Sequence, residues 1–510
     1  MKSHSFKRIR VFFALLFFLP LLLFFCDFAG ILPEGFRFLT EFQLIPALLA
    51  GHFAVVAGLA LLTVVFGRVY CSAVCPLGVL QDIVSFFSRR GKPKQKRRYR
   101  FRKPSTAVRY TLLAVCVLFL LLGITTPLLL LDPYSNFGRI AVNLFRPVVM
   151  AGNNLLNGLA LQFNLYHFYH VTIYTVSAAS LLFALLALLA VGGMSLLRGR
   201  LFCNTVCPVG TLLGVFSRRS LFRITIDRTR CNHCGLCERA CKSECINSKE
   251  QTVDTSRCVG CFNCLDRCSK QNALGYRFYR RQAAGEEAGM TRRSFLVTST
   301  AMAASVPLLP AWASGQAPSD ATKRTPVTPP GSVSLAHFKQ KCTACHLCIT
   351  HCPQQILKPA GFNFGLQYAF KPHLVFYEMA FCNYSCTVCS EICPNGAIVR
   401  LTEEEKKVTQ IGVAQFDKSK CIVYTDNTSC GACSEHCPVQ AVQMESYKDG
   451  LTLPRVFEEL CIGCGGCESI CPVRPVKAIN ILANEVHRIA QKPPQEEAAP
   501  VDAGELDFGF

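Results

Sequence analysis

Twenty-four of the 31 cysteines in this chain fall into six sets of four between residues 231 and 471. Four sets share the form CxxCxxCxxxC: Cys231, Cys234, Cys237 and Cys241; Cys258, Cys261, Cys264 and Cys268; Cys342, Cys345, Cys348 and Cys352; Cys461, Cys464, Cys467 and Cys471. Two are stretched at the front: Cys382, Cys386, Cys389 and Cys393, and Cys421, Cys430, Cys433 and Cys437. Three closely spaced thiolates on a tight turn reach three corners of a 4Fe–4S cubane, and the fourth thiolate of such a run ligates the neighbouring cluster. Six runs therefore predict up to six 4Fe–4S clusters and electron transfer as the chemistry. Pro353, Pro394, Pro438 and Pro472 follow the last cysteine of four runs and fix the backbone as it leaves a cluster. Lys242 and Ser269 stand there in the first two runs, a departure from that form.

Other chemistries for these cysteines fit less well. Structural zinc uses two separated CxxC pairs, and a disulfide framework has no reason to repeat a triplet plus one. Cys342-Thr-Ala-Cys345-His346 also matches a CxxCH haem-attachment pattern, but Cys348, Cys352 and Pro353 complete a cluster run there. No nucleophile–base pair, phosphate-cradling glycine loop or paired-carboxylate site is evident, so no catalytic residue is assigned.

The elements that must position the cysteines begin with a membrane domain. Hydrophobic residues make up 51% of the chain and its mean hydropathy is +0.29, both high for a soluble protein. Stretches 9–32, 45–68, 107–131 and 171–196 are each long enough to cross a hydrocarbon core of about 30 Å. The first lacks a small-residue cleavage site and reads as a transmembrane helix rather than a signal peptide. The net charge of +21 invites a nucleic-acid partner, but ten of the fifteen residues from Arg89 to Lys103 are Lys or Arg and lie between two spans. Loops 33–44 and 132–170 hold one and two basic residues, so the basic run sets orientation by the positive-inside rule. It predicts contact with anionic lipid of an inner membrane and no nucleic acid.

Gly67-Arg-Val-Tyr-Cys71-Ser-Ala-Val-Cys75-Pro76-Leu-Gly78 recurs as Gly199-Arg-Leu-Phe-Cys203-Asn-Thr-Val-Cys207-Pro208-Val-Gly210. Each copy ends a span and precedes an amphipathic stretch closing in Ser-Arg-Arg, so the membrane domain reads as a duplicated two-helix unit. Pairing the halves would bring Cys71, Cys75, Cys203 and Cys207 into one metal or redox site, with no metal named. The plainer alternative is a helix terminus with buried thiols or a transient disulfide in each copy. Cys26 and Cys116 read as small apolar residues within spans, and Cys245 as a spare thiol. His52, His167 and His170 border the membrane on the side opposite the CxxxCP motifs, together with Asp132, Arg139 and Arg146. Three imidazoles there are candidates for a quinol or haem site, against interfacial histidines held by backbone carbonyls.

Between the second and third runs stands Thr291-Arg292-Arg293-Ser294-Phe295-Leu296, then an apolar run to Leu309 and Ala311-Trp312-Ala313. Paired Arg292 and Arg293, an apolar run and a small-residue site together form a twin-arginine export signal inside the chain. Such export carries folded protein, which suits clusters built in the reducing cytoplasm. Residues 315–335, rich in Pro, Ser, Thr and Gly, read as a flexible linker, and 491–510 as a disordered acidic tail. The expected domains are 1–225, an α-helical membrane domain with four transmembrane helices; 226–280, a cytoplasmic two-cluster α+β ferredoxin; 281–314, the signal or a fifth crossing; 315–335, the linker; 336–490, a periplasmic four-run ferredoxin; and 491–510, the tail.

Residues 1–280 resemble the NapH/MauN-type membrane ferredoxins in their four spans, two CxxxCP motifs and two 4Fe–4S runs. Residues 290–490 resemble the NapG/MauM-type periplasmic ferredoxins, with a twin-arginine signal followed by four runs. The whole is similar to a natural fusion of the two. The resemblance implies bacterial-type ferredoxin domains and a donor in the quinol pool, menaquinol or ubiquinol. It also implies an acceptor that is a periplasmic reductase of a nitrate-reductase-like system or a cytochrome. A maturation factor that delivers metal or electrons during assembly of a periplasmic metalloenzyme is the alternative. The usual exchange of fourth ligands then predicts Cys231, Cys234, Cys237 and Cys268 on one cluster, with Cys258, Cys261, Cys264 and Cys241 on the other. In the exported domain either adjacent runs pair, or the outer two enclose the inner two. A hydrocarbon core separates the two ferredoxins, so a quinone, the CxxxCP thiols or a further cofactor must join them.

Overall fold

The first apolar stretch folds as α1, Ser3–Cys26, which carries Pro20 within it. The second is divided: α2, Leu44–Ala50, stops at Gly51, whose φ of 82° is the left-handed cap that glycine adopts without strain, and α3 runs Phe53–Phe66. After α4, Pro76–Arg90, the third stretch divides in turn, into α5, Thr106–Leu121, and α6, Thr126–Leu131. A polar segment follows as α7, Pro133–Ile140, a π-turn at Ala141–Phe145, and α8, Arg146–Gln162. The fourth stretch is α9, Ala178–Arg198, and α10 covers Pro208–Ser217. The structure, a computed structural model, describes residues 3–90, 99–164, 166, 168–173, 177–268, 273–279, 325–377 and 379–492.

Among the described residues two helices, within α1 and α9, are long and apolar enough to cross a membrane. Of the four expected transmembrane helices only these two have that length among the described residues, because 45–68 and 107–131 are each two helices. All four nonetheless run between the same two cysteine-rich lobes. At one end Lys7 pairs with Asp266 at 2.7 Å, the Phe66 carbonyl accepts from Tyr276 Oη at 2.9 Å, and Arg109 and Arg200 bond Ser256 and Lys242. At the other end Phe24 meets His351 with ring centroids 4.8 Å apart and Ala50 abuts Gly396. There too Thr125 donates to the Lys339 carbonyl at 3.0 Å, and Phe183 meets Phe370 at 4.6 Å. From Lys7 to Phe24, α1 rises about 26 Å at 1.5 Å per residue, which is the depth of the helical slab.

The first lobe pairs β1, Phe222–Ile226, antiparallel with β4, Leu274–Phe278, and β2, Ile246–Asn247, with β3, Thr252–Val253. Its sheet thus starts four residues before the expected boundary at 226. The second lobe holds three further pairs: β5, Leu357–Pro359, with β6, Pro372–Leu374; β7, Thr409–Phe416, with β10, Ile479–Ile489; and β8, Val442–Ser446, with β9, Thr452–Val456. Isolated two-stranded ribbons are marginal in water, so such lobes depend on what the cysteines between the strands hold.

The second lobe begins earlier than expected. Of the proposed flexible linker 315–335, the described part from residue 325 is packed: Val327, Thr328 and Ser332 are buried. Its carbonyls pair inward, Val327 O accepting from Leu374 N and Gly331 O from Val399 N, each at 2.8 Å. Proline-fixed φ and a Ser332 hydroxyl bonded to the Pro329 carbonyl turn a composition typical of linkers into a strap. The signal with Arg292 and Arg293 and the tail from 493 lie outside the described residues.

The closing strand pair gives this lobe a pH dependence. His487 on β10 bonds Thr328 Oγ1 of the strap at 3.0 Å, and burial pushes its ring down to about 4 from an ordinary 6.5. A base with a lowered folded-state pKa gives stability that is complete above pH 6.5 and lost as pH falls towards 4. The stability of the second lobe, read by thermal denaturation, should fall by up to about 3 kcal/mol as pH drops across that window, and His487→Gln should flatten the profile.

Candidate functional site

The six cysteine runs converge in pairs. Cys237 lies in the electrostatic field of Cys268, Cys231 and Cys234, and Cys264 in that of Cys261, Cys241, Cys258 and Cys237. In the first lobe the fourth cysteine of each run thus lies close to the leading cysteines of the other run. In the second lobe an apolar cavity is lined by Cys342, Cys345, Cys348 and Cys393, and another by Cys352, Cys382, Cys386 and Cys389. A third is lined by Cys421, Cys430, Cys433 and Cys471, while Cys467 faces Cys464, Cys461 and Cys437. Adjacent runs pair, first with second and third with fourth, which decides between the two arrangements left open above. The two pairs abut where Cys382 N donates to the Cys464 carbonyl at 2.9 Å.

These pockets suit an anionic cubane. Each is apolar and cysteine-lined, and short helices such as Leu347–His351 begin beside the runs. None of the 31 cysteines is in a disulfide. At the Cys342 pocket the buried Arg139 guanidinium lies in the field of Cys342 and Cys345 and leaves Nε and Nη1 without a partner. A buried cation with unused donors near these two thiols is what an anionic cluster would compensate. His346 does not offer itself to haem: it is 1% exposed and its Nε2 donates to the Phe370 carbonyl at 2.9 Å. Cys245, read as a spare thiol, lies with its Sγ 3.4 Å from Cys241 Sγ, against a cluster pocket.

The two CxxxCP copies also come together. Cys71, Cys75, Cys203 and Cys207 are each 3% exposed, and Cys207 lies in the field of Cys203, Cys75 and Cys71. The copies are locked by crossed arginines. Arg68 of the first donates from Nη2 to the Cys203 carbonyl at 3.0 Å, and Arg200 of the second from Nη1 to the Cys71 carbonyl at 2.6 Å. Each also reaches the first thiol of its own copy, Arg68 Nη2 at 3.8 Å from Cys71 Sγ and Arg200 Nη1 at 4.0 Å from Cys203 Sγ. The crossing needs Gly78 and Gly210: a Cβ there would lie 2.7 Å from the other copy's guanidinium and 2.3 or 2.1 Å from the cysteine carbonyl. Gln81 Nε2 adds a donor 3.3 Å from Cys203 Sγ. Cys207 caps α10 and accepts from Gly210 N at 3.3 Å, with Pro208 at the first helical position. Among the described residues no three His, Cys, Asp or Glu side chains are drawn together as a single ion would draw them, the cubane runs included.

Asp82 joins this site to the first lobe. It is 8% exposed and binds Arg10 at 2.9 Å, Arg200 at 2.8 Å and Lys242 at 3.2 Å. Burial raises its carboxyl, but Arg200, Lys242 and Arg10 outweigh that and hold it well below the usual carboxylate range. Lys242 occupies the position where proline follows other runs, so that departure supplies a docking cation. The sequence reading missed Arg68, Arg200, Gln81 and Asp82; the signals were Gly-Arg before each CxxxCP and Gly three residues after. Of the histidine trio, His52 and His170 are exposed with no contact joining them among the described residues, and His167 lies outside those residues.

The 4Fe-4S binding domain family model matches residues 49–95 and 180–227, the two CxxxCP copies, and the 4Fe-4S dicluster domain model matches 428–475. An uncharacterized protein of Methanocaldococcus jannaschii is 39% identical over 85 residues, 17% of this chain and 33% of that protein. The ferredoxin-type protein NapH of Escherichia coli is 27% identical over 243 residues, 44% of this chain and 69% of NapH. The ferredoxin-type protein NapG of the same organism is 27% identical over 143 residues, 26% of this chain and 61% of NapG. The chain thus spans a third of the first of these relatives and less than two thirds of NapG. No solved structure matches. The chain carries 4Fe–4S ferredoxin domains and is similar, in separate parts, to NapH- and NapG-type ferredoxins.

Two outcomes are expected. Asp82→Asn should leave three buried cations short of a carboxylate and destabilise the docking of the first lobe by about 3–5 kcal/mol, read by limited proteolysis of 222–279. If runs pair as described, Cys342→Ser with Cys393→Ser should lose no more iron than Cys342→Ser alone. Cys342→Ser with Cys352→Ser should lose two clusters.

Proposed function

We propose that this chain is a membrane-bound iron–sulfur electron carrier that takes electrons from menaquinol or ubiquinol and passes them to a periplasmic reductase or cytochrome. The reading that carries it is spatial: two ferredoxin lobes sit at opposite ends of a slab of apolar helices. In it the slab lies in the inner membrane, the first lobe is cytoplasmic, and the second, behind the internal export signal, is periplasmic. Cys231 to Cys471 hold up to six cubanes in the pairings above, and each cluster supplies one-electron chemistry. The relatives named as ferredoxin-type proteins support electron transfer; a nitrate-reductase-like acceptor comes from the resemblance of the motifs. The chain's residues line apolar cysteine pockets in the second lobe, place backbone N–H donors at the sulfurs of Cys461 and Cys437, and set its two pairs of runs side by side.

Full-length protein in lipid nanodiscs, mixed anaerobically with a reduced menaquinol analogue, should lose the visible absorption of its oxidised clusters. Bleaching by dithionite but not by the quinol analogue would overturn the quinol reading.

A further inference from the structure

A slab about 26 Å deep along α1 is too thick for one electron hop between the lobes. The four CxxxCP thiols stand within it, and both of their neighbourhoods lead to cluster pockets. On the first-lobe side Arg68 Nη1 donates at 2.9 Å to the carbonyl of Ser256, two residues before Cys258, and lies in the field of that thiol. Arg200 N donates at 3.1 Å to the carbonyl of Lys242, next to Cys241. On the other side Tyr70, fully buried, shares a field with Cys75, Cys71 and Asp132. Its hydroxyl donates to Gln43 Oε1 at 2.9 Å. Tyr134, beside Thr40 of the same segment and beside Asp132, lies in the field of Cys345 and Cys393.

We propose that Cys71, Cys75, Cys203 and Cys207 together ligate one iron–sulfur centre, two thiolates from each repeat, and that it relays electrons between the first lobe and the Cys342 pocket. This rests on the electron-transfer reading above. One copy supplies two thiols, half of what a cluster needs, and the crossed arginines hold the two halves in one register. The surroundings are built for negative charge. Two guanidinium groups and an amide N–H approach the sulfurs, Arg68 Nε and Arg200 Nη2 lack a partner, and the N-termini of α4 and α10 begin at the second cysteines. Four thiolates also suit zinc, but zinc has no redox chemistry, and this position between two electron carriers calls for a centre that has.

The step balances simply. A reduced cubane on the Cys258 run would give up one electron and be oxidised; the centre would accept it and pass it to an oxidised cubane at the Cys342 pocket. No covalent bond is made or broken and no proton moves. A quinol serves two such passes, releasing its two protons where it is oxidised.

The test uses full-length protein in nanodiscs, with Cys75→Ser and Cys207→Ser made separately. Mössbauer and EPR spectra should show an iron signal that either substitution abolishes whole, while the cubane signals persist and report a folded chain. Quinol-driven reduction of the clusters of one lobe should then slow at least a hundredfold. Gln81→Leu keeps every ligand but removes an N–H that stabilises the more negative reduced state, so the midpoint potential of that signal should fall. Zinc without extra iron, or two variants that each remove a separate part of the signal, would overturn the shared centre. Both lobes reduced at the wild-type rate in the variants would overturn the relay while leaving quinol oxidation standing.

Discussion

Arg68 and Arg200 reach across from one repeat to the other, each holding the carbonyl of its partner's first cysteine. A buried guanidinium is costly to strip of water, so each must find acceptors for its fork of N–H groups or destabilise the fold by several kcal/mol. The acceptors are carbonyls at the turns of the two CxxxCP motifs, the Asn204 amide, the Ser256 carbonyl and the Asp82 carboxylate. Satisfying two arginines therefore fixes the register of the repeats, the positions of four thiols and the seat of the first lobe together. Glycine at 78 and 210 follows from the same constraint, since a side chain would occupy the space of the incoming guanidinium.

The far end of the slab obeys a related rule. Asp132 caps α7 by accepting from Ser135 N at 2.8 Å, Asn136 ties the turn to the Leu130 carbonyl at 2.7 Å, and Arg139 donates to the Leu129 carbonyl at 2.5 Å. Arg139 also lies over the Phe183 ring, 4.9 Å from its centroid, and so fastens α7 to α9. This polar layer is buried only because the second lobe covers it: Arg146 donates to the Thr350 carbonyl, and Gly138 lets the Cys345 carbonyl approach. Both faces of the slab thus present buried arginine to a ferredoxin loop. A cation at each docking face favours electron-rich, anionic clusters there, which is the electrostatic requirement of a carrier that must accept electrons as well as lose them.

Much of the redox inventory was legible in order along the chain. Six runs and the repeat of CxxxCP follow from spacing alone, because thiolate geometry around a cubane is local and permits few loop lengths. The strap at 325–335 was misread because Pro, Ser and Thr look the same in a linker and in a segment whose carbonyls are bonded inward. The broken helices at 45–68 and 107–131 were hidden because composition measures hydropathy over a window and not the continuity of a helix. Of the histidines, His52 and His170 have no contact joining them among the described residues.

What the sequence by itself determined is the chemistry: how many thiols there are, in which local groups, and on which kinds of segment. What only the tertiary structure decided is adjacency between groups far apart in the chain. Pairing of neighbouring runs in the second lobe, the meeting of Cys71 and Cys75 with Cys203 and Cys207 across 136 residues between the crossed partners Arg68 and Asn204, and the seat of Lys242 on Asp82 depend on long-range packing. Local spacing constrains a turn through short covalent links, whereas these contacts are set by burial of charge, which no single stretch of sequence contains.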